Sequence, residues 1–394
     1  MGKRTGAIGC LLAAAVAAAS APQIVHDVPV INIEVPVRVF LDNRFVDTLK
    51  KDDFEVFEDG VPRSVEAAYL VRKTRIARKE GQAPETPRTS RLFVMMFEMT
   101  SYQAEIEGAV DYFFDRLFEP YDELILVTPG HTYHLKPDVI SATSREKAKS
   151  DFLGRIRADV TVGGAEYRQL IRDLTDILGG DDDLDVKLQA YADALKAIEN
   201  IRYVDERKLL EFAGFLKSRG GQKHVFFFYQ KEWVPRVNAK NISNLISSSQ
   251  ERPDNLFDMM GKFESYNRDL TFDVGKVKEA FSDSSIAVHF LYLTGTGPTP
   301  IDTYQGATSY LTLEEQSQDI FSAFSEISKA TGGLSETGAT ADALFKRIAA
   351  AAENYYLLYY RPAAYKPDGK FHEIVVRVKA KGFRVFHRSG YIAG

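Results

Sequence analysis

Apolar and polar residues alternate along the first part of the chain. Ile31, Ile33, Val35, Val37 and Val39 fall on one side, and Asn32, Glu34, Pro36 and Arg38 on the other. A two-residue period predicts a half-buried strand, and Pro36, which has no amide proton for a neighbour, predicts a sheet edge. Phe54, Val56 and the Asp59-Gly60 turn extend a small antiparallel unit. Residues 72–90 are basic and proline-containing, and are expected to form a linker. From Arg91 the alternation gives way to apolar runs at 92–97, 123–128, 224–229 and 286–293, the pattern of strands buried on both faces. A short strand is expected at 131–135, after Pro129-Gly130. Stretches with helical spacing lie at 105–118, 147–156, 184–201, 205–217, 256–281, 313–330 and 341–352.

Alternating strands and helices predict an α/β fold: a doubly wound, mostly parallel sheet with helices on both faces. Its ligand region is expected beyond the carboxyl ends of the strands. The helices around 180–220 exceed what one crossover needs and read as an insertion. The tail returns to strands, at 355–360, 373–378 and 384–386, with turns at Asp368-Gly369 and Lys381-Gly382. Neither end has enough strands for a sandwich of its own, so 22–71 and 354–394 are expected to pair into one β-sandwich. It would flank an α/β domain over 91–353. Tyr355, Tyr356, Tyr359 and Tyr360 then read as alternating sandwich core and surface.

Composition narrows the function. The 394 residues are 45% hydrophobic and 27% charged, which excludes collagen-like and largely disordered chains. Fifty Lys and Arg against 55 Asp and Glu give a formal charge of −5, without the basic excess of a nucleic-acid binder. Lys3 and Arg4 precede a small, apolar stretch from Gly6 to Ala18, and Ala19-Ser20-Ala21 fits a small-x-small cleavage rule. Residues 1–21 thus read as a signal peptide cut after Ala21, leaving a periplasmic or extracellular product. Cleavage removes Cys10, the one cysteine of the sequence. A disulfide framework and a cysteine-zinc site are thereby excluded. No further segment reaches the length of a membrane span, so the mature chain is expected not to cross a membrane.

Several stretches resemble a bacterial, acidobacterial-type family of exported proteins with a von Willebrand factor A-related domain. At the front these are 35–39 (Val-Pro-Val-Arg-Val) and 53–60 (Asp-Phe-Glu-Val-Phe-Glu-Asp-Gly). At the back they are Thr331-Gly332-Gly333, 353–362 (Glu-Asn-Tyr-Tyr-Leu-Leu-Tyr-Tyr-Arg-Pro), 368–374 and 388–391. The resemblance covers nearly the whole mature chain and implies a von Willebrand factor A-like sheet. Domains of this type often carry a metal-ion-dependent adhesion site: Asp-x-Ser-x-Ser after the first strand, a Thr in a later loop, and an Asp after the fourth strand. Oxygen ligands and waters there complete an octahedral Mg²⁺ shell, with one position left for a partner's carboxylate.

Here the pattern departs at each position. The first motif aligns as Glu98-Met99-Thr100-Ser101-Tyr102, in which Glu98 is a methylene longer and Tyr102 replaces a small hydroxyl. Gly163-Gly164-Ala165 stands where Gly-Gly-Thr is common, and Ala165 has no side-chain oxygen. Gln230 or Lys231 stands where the Asp is expected. Mg²⁺ demands near-ideal geometry, so no cofactor is expected at this altered site. Partner contacts are instead expected from Trp233, the single tryptophan, and from Tyr304 and Tyr310 in the long loop from Thr294. Packing of Trp233 under its neighbouring helices competes with that reading.

Other constellations give no chemistry. Counting from Asp181, an EF-hand needs Gly and Glu where Val186 and Ala192 stand. His131 and His134 face opposite sides of a strand. No Gly-x-Ser-x-Gly or phosphate-loop motif is present. The leading expectation is a non-enzymatic exported protein-binding protein with a degenerate adhesion site. The alternatives are a cation-dependent adhesin using Glu98 and Thr100, and a hydrolase with an unrecognised site. The partner and the oligomeric state are not encoded in any motif.

Overall fold

In the computed structural model the chain is described over 31–83, 86–179, 182–201, 204–237, 272–295, 311–315, 317–363 and 365–394. The architecture is mixed α/β with several sheets. The central sheet begins with β7 (Arg91–Glu98), β8 (Glu123–Thr128) and β9 (His131–Leu135). It continues through β10 (Gln222–Gln230), β12 (Ile286–Leu293) and β14 (Ser335–Gly338). Its spatial order is β14-β12-β10-β7-β8-β9; all pairs are parallel except β8 with β9. Numbered from β7 and read from the β9 end, this is 3-2-1-4-5-6, and the direction of winding reverses between β7 and β10.

Helices cover both faces, which explains the unbroken apolar runs. On one face Phe93, Met95, Phe97 and Phe228 pack on α1 (Ile106–Tyr112), α3 (Arg145–Gly179) and α8 (Ala341–Ala349). On the other, Val94, Val225, Phe227 and Phe290 pack on α5 (Glu206–Lys217), α6 (Val274–Asp283) and α7 (Gln318–Ala330). Every residue of β10 and β12 is buried. Two further helices, α2 (Pro137–Ser141) and α4 (Leu184–Ile201), complete the described set.

The second large sheet interleaves the two ends of the chain. β1 (Ile33–Leu41) lies between β15 (Asn354–Tyr360) and β17 (Arg384–His387), and β15 in turn pairs with β5 (Val65–Arg72). A four-stranded sheet, β18 (Gly390–Ile392), β16 (Phe371–Val378), β3 (Phe54–Glu58) and β4 (Val61–Arg63), packs against it. Phe54 meets the Tyr356 ring at 5.1 Å, and the Tyr360 hydroxyl donates to Glu58 at 3.1 Å.

Several sequence expectations change. β1 is an interior strand rather than an edge, and its polar side is buried too, Arg38 included. Pro36 is tolerated because β17 pairs only with Val37 to Phe40, so that flank needs no amide at Pro36. The expected linker 72–90 contains β6 (Arg75–Glu80), which pairs with β5. Charged side chains suit a sheet edge but hide the strand from a hydrophobicity reading. All four tyrosines of β15 are buried, because this strand is covered on both faces. The helix expected at 147–156 runs to Gly179, so the helical excursion begins well before residue 180. The stretch 313–330 divides into a strand, β13 (Leu311–Glu315), and α7.

Candidate functional site

The carboxyl ends of β7 and β10 lie side by side at the reversal of the sheet, where open α/β sheets place their ligand crevice. In register, Tyr229 pairs with Glu98, so Gln230 falls beside the start of the loop after β7. Gln230 is 4% exposed. Its Oε1 accepts from the backbone amides of Thr100 at 2.9 Å and Ser101 at 3.0 Å, and its Nε2 donates to Ser101 Oγ at 2.7 Å. Two backbone donors on the oxygen fix the orientation of the amide.

α3 closes this loop from above. Arg168 Nη1 donates to the Thr100 carbonyl at 2.8 Å, and its Nη2 donates to the Thr161 carbonyl at 2.8 Å. Gly164 sits so close that a Cβ there would stand 1.9 Å from the Thr100 oxygen. A Cβ on Gly163 would stand 2.5 Å from Pro129 Cβ. The Gly163-Gly164 pair therefore belongs to a helix pressed onto two loops, and not to a metal-binding loop as its sequence suggested. Ala165, the next residue, is exposed on that helix and is not drawn into the site.

The residues assembled here do not fit a hard-cation site. The oxygen at the position of the expected Asp is an amide oxygen already engaged by two N–H groups. The Ser101 hydroxyl accepts from the same amide. Tyr102 turns its ring under the Arg157 guanidinium at 4.9 Å and packs against the apolar core, with its hydroxyl buried and without a hydrogen-bond partner. Glu98 is exposed and Thr100 half-buried. Among the described residues no group of three or more His, Cys, Asp or Glu side chains is arranged to hold a metal.

Beyond Gln230 the chain turns into β11 (Trp233–Val237), which pairs antiparallel with β13 as a two-stranded ribbon. Trp233 is half-buried, its carbonyl accepts from the Tyr167 hydroxyl, and the Lys231 ammonium lies 4.8 Å from its ring centroid. At the root of the ribbon Glu315 Oε1 accepts from Tyr292 at 3.0 Å and from the Ser317 amide at 3.0 Å and hydroxyl at 2.6 Å. Burial pushes the Glu315 carboxyl up, but the bonds from Ser317 and Tyr292, with Lys231 nearby, outweigh it and hold it below the usual range. Burial pushes the Tyr292 hydroxyl up to about 12. Arg168, Tyr292, Glu315 and Ser317 were not singled out from sequence; Glu315 and Ser317 are close neighbours, but Arg168 and Tyr292 lie far from them in the chain, and no motif spacing links the four. Tyr304 and Tyr310 fall outside the described residues.

No family model and no curated protein matches this chain. Among solved structures it is similar to the human COPII-coat protein Sec24c, at 9% identity and a TM-score of 0.30. The match covers 84% of this chain and 46% of that one, so it spans less than half of the coat protein's length. Among the described residues no helix is long and apolar enough to cross a membrane.

Proposed function

We propose that this protein is an exported, non-catalytic protein-binding module with a von Willebrand factor A-like sheet, whose cation position has been taken over by a side-chain amide. The observation that carries the reading is the Gln230 bridge. One neutral side chain holds the backbone of the loop after β7 that a metal shell would otherwise organise. The half-buried Trp233, with Lys231 over its ring, lies just beyond Gln230 at the sheet reversal, and aromatic anchors of this kind dominate binding energetics. The basic and apolar N-terminal pattern ending at Ala21 supports export.

The test is thermal denaturation of the purified protein with Mg²⁺, Mn²⁺ or Ca²⁺, alongside capture of partners from the host envelope and medium. The melting temperature is expected to stay constant across millimolar cation. Capture is expected to survive EDTA and to weaken about tenfold or more on Trp233→Ala. A cation-induced rise of several degrees that disappears in Glu98→Ala would overturn the reading in favour of a cation-dependent adhesin.

A further inference from the structure

At the opposite end of the central sheet, three cationic side chains from distant parts of the sequence converge on one small cavity. Arg38 comes from β1, Lys223 from the start of β10, and Arg388 from the turn before β18; Gln222, Ser285 and Thr331 complete the polar lining. The three are 2%, 6% and 9% exposed, respectively. Among the described residues none of them is ion-paired. Arg38 Nε donates to the Ala351 carbonyl at 2.6 Å, Lys223 Nζ to the Arg219 carbonyl at 2.9 Å, and Arg388 Nη2 to the Glu34 carbonyl at 2.7 Å. Arg388 Nε is buried with no hydrogen-bond partner.

Buried charge is costly unless it is neutralised, and a buried donor without an acceptor adds to that cost. The carboxylates in range do not balance the site. Glu34 accepts from the Tyr359 hydroxyl at 2.6 Å; burial raises its carboxyl pKa, and Arg388 and Lys223 oppose that rise without forming an ion pair with it. Asp283 is already engaged by the Lys217 ammonium and by the Ile392 amide. Burial lowers Arg38 to about 10 and, with Arg388 nearby, Lys223 to about 8; Glu34 and Asp283 offset only part of the effect on Lys223. The cavity volume is about 10 Å³, room for a single water-sized species.

We propose that this cavity is a binding site for a small inorganic monoanion of chloride size, held between Arg38, Lys223 and Arg388. The ion would accept from the free Arg388 Nε–H. It would also tie the first and last strands of the chain to the amino-terminal edge of the central sheet. A tetrahedral oxyanion such as sulfate is too large for the space.

The experiment is a thermal-denaturation series of the purified protein in chloride, bromide, sulfate or gluconate at matched ionic strength, with Arg388→Gln alongside. A saturable rise of roughly 2 °C or more is expected in the two halides only, and Arg388→Gln is expected to abolish it. Equal effects of all four salts, or a halide response retained in Arg388→Gln, would overturn the proposal. Because that variant could fail to fold, crystals of the wild type soaked in bromide supply a second readout. An anomalous peak beside Arg388 Nε supports the site, and a cavity without one overturns it.

Discussion

At the end of β10 a single amide meets three polar groups of a neighbouring loop, and residue identity there decides what the loop can do. Replacing Gln230 with Ala leaves the Thr100 and Ser101 amides without their acceptor. The expected loss of unfolding free energy in urea is about 1–3 kcal/mol. Gln230→Glu keeps an acceptor for both amides, and the Ser101 hydroxyl can rotate to donate instead of accept. The Glu variant should therefore lie much closer to wild type than the Ala variant; equal losses would mean that the bridge is not what holds the loop. The sequence marked Gln230 as a departure from an acidic pattern. It did not show that the departure was compensated, because both backbone donors lie 129 residues or more away along the chain.

Elements show the same division. Helix α3 was legible only in part, because Gly163-Gly164 reads as a loop to any propensity scale. What keeps the helix intact is contact: both glycines leave room for backbone or proline where a Cβ would collide. This gives a matched pair of tests within one helix. Gly154 is exposed with nothing within 4 Å of an added Cβ, so Gly154→Ala should stabilise by about 0.5–1 kcal/mol through helix propensity alone. Gly164→Ala should instead destabilise by about 1–3 kcal/mol, as overpacking does. Chemical denaturation of the two variants measures opposite signs if close approach is the reason for Gly164, and the same sign if it is not. β6 and β14 were missed for a different reason: an edge strand need bury little, so its residues carry no apolar signature.

For the whole molecule, the central sheet contains a titratable pair that bears on stability. His224 and His289 are fully buried on adjacent strands, with rings stacked 5.5 Å apart. His289 Nδ1 accepts from the Leu334 amide at 3.3 Å, which leaves its Nε2 to donate to His224 Nδ1 at 3.2 Å. Burial, and then the charge of Arg38, hold both well below the ordinary histidine value of 6.5. Both are thus neutral when folded, whereas the unfolded chain takes up protons below 6.5. Stability is therefore fully present above that pH and falls as the solution is acidified through it, by at most about 2.7 kcal/mol per pH unit for two protons. Urea midpoints should drop between pH 7 and pH 5, and NMR should show both imidazoles still neutral at pH 5. Titration of either ring near its ordinary value would contradict this.

The sequence by itself determined the class of architecture. Apolar runs covered on both faces and alternation at the two ends are local properties, set by the period of the backbone and the cost of exposing apolar surface. It also placed Glu98 to Tyr102 and Gln230 at the carboxyl ends of two buried strands. Only the tertiary structure decided that Pro36 lies inside a sheet, that Gly164 belongs to a helix, that Gln230 closes the loop, and that Arg38, Lys223 and Arg388 share one cavity. Each of those depends on contacts between residues far apart in the chain. Such contacts are selected by packing and by the need to satisfy buried polar groups, and neither leaves a periodic trace in the sequence.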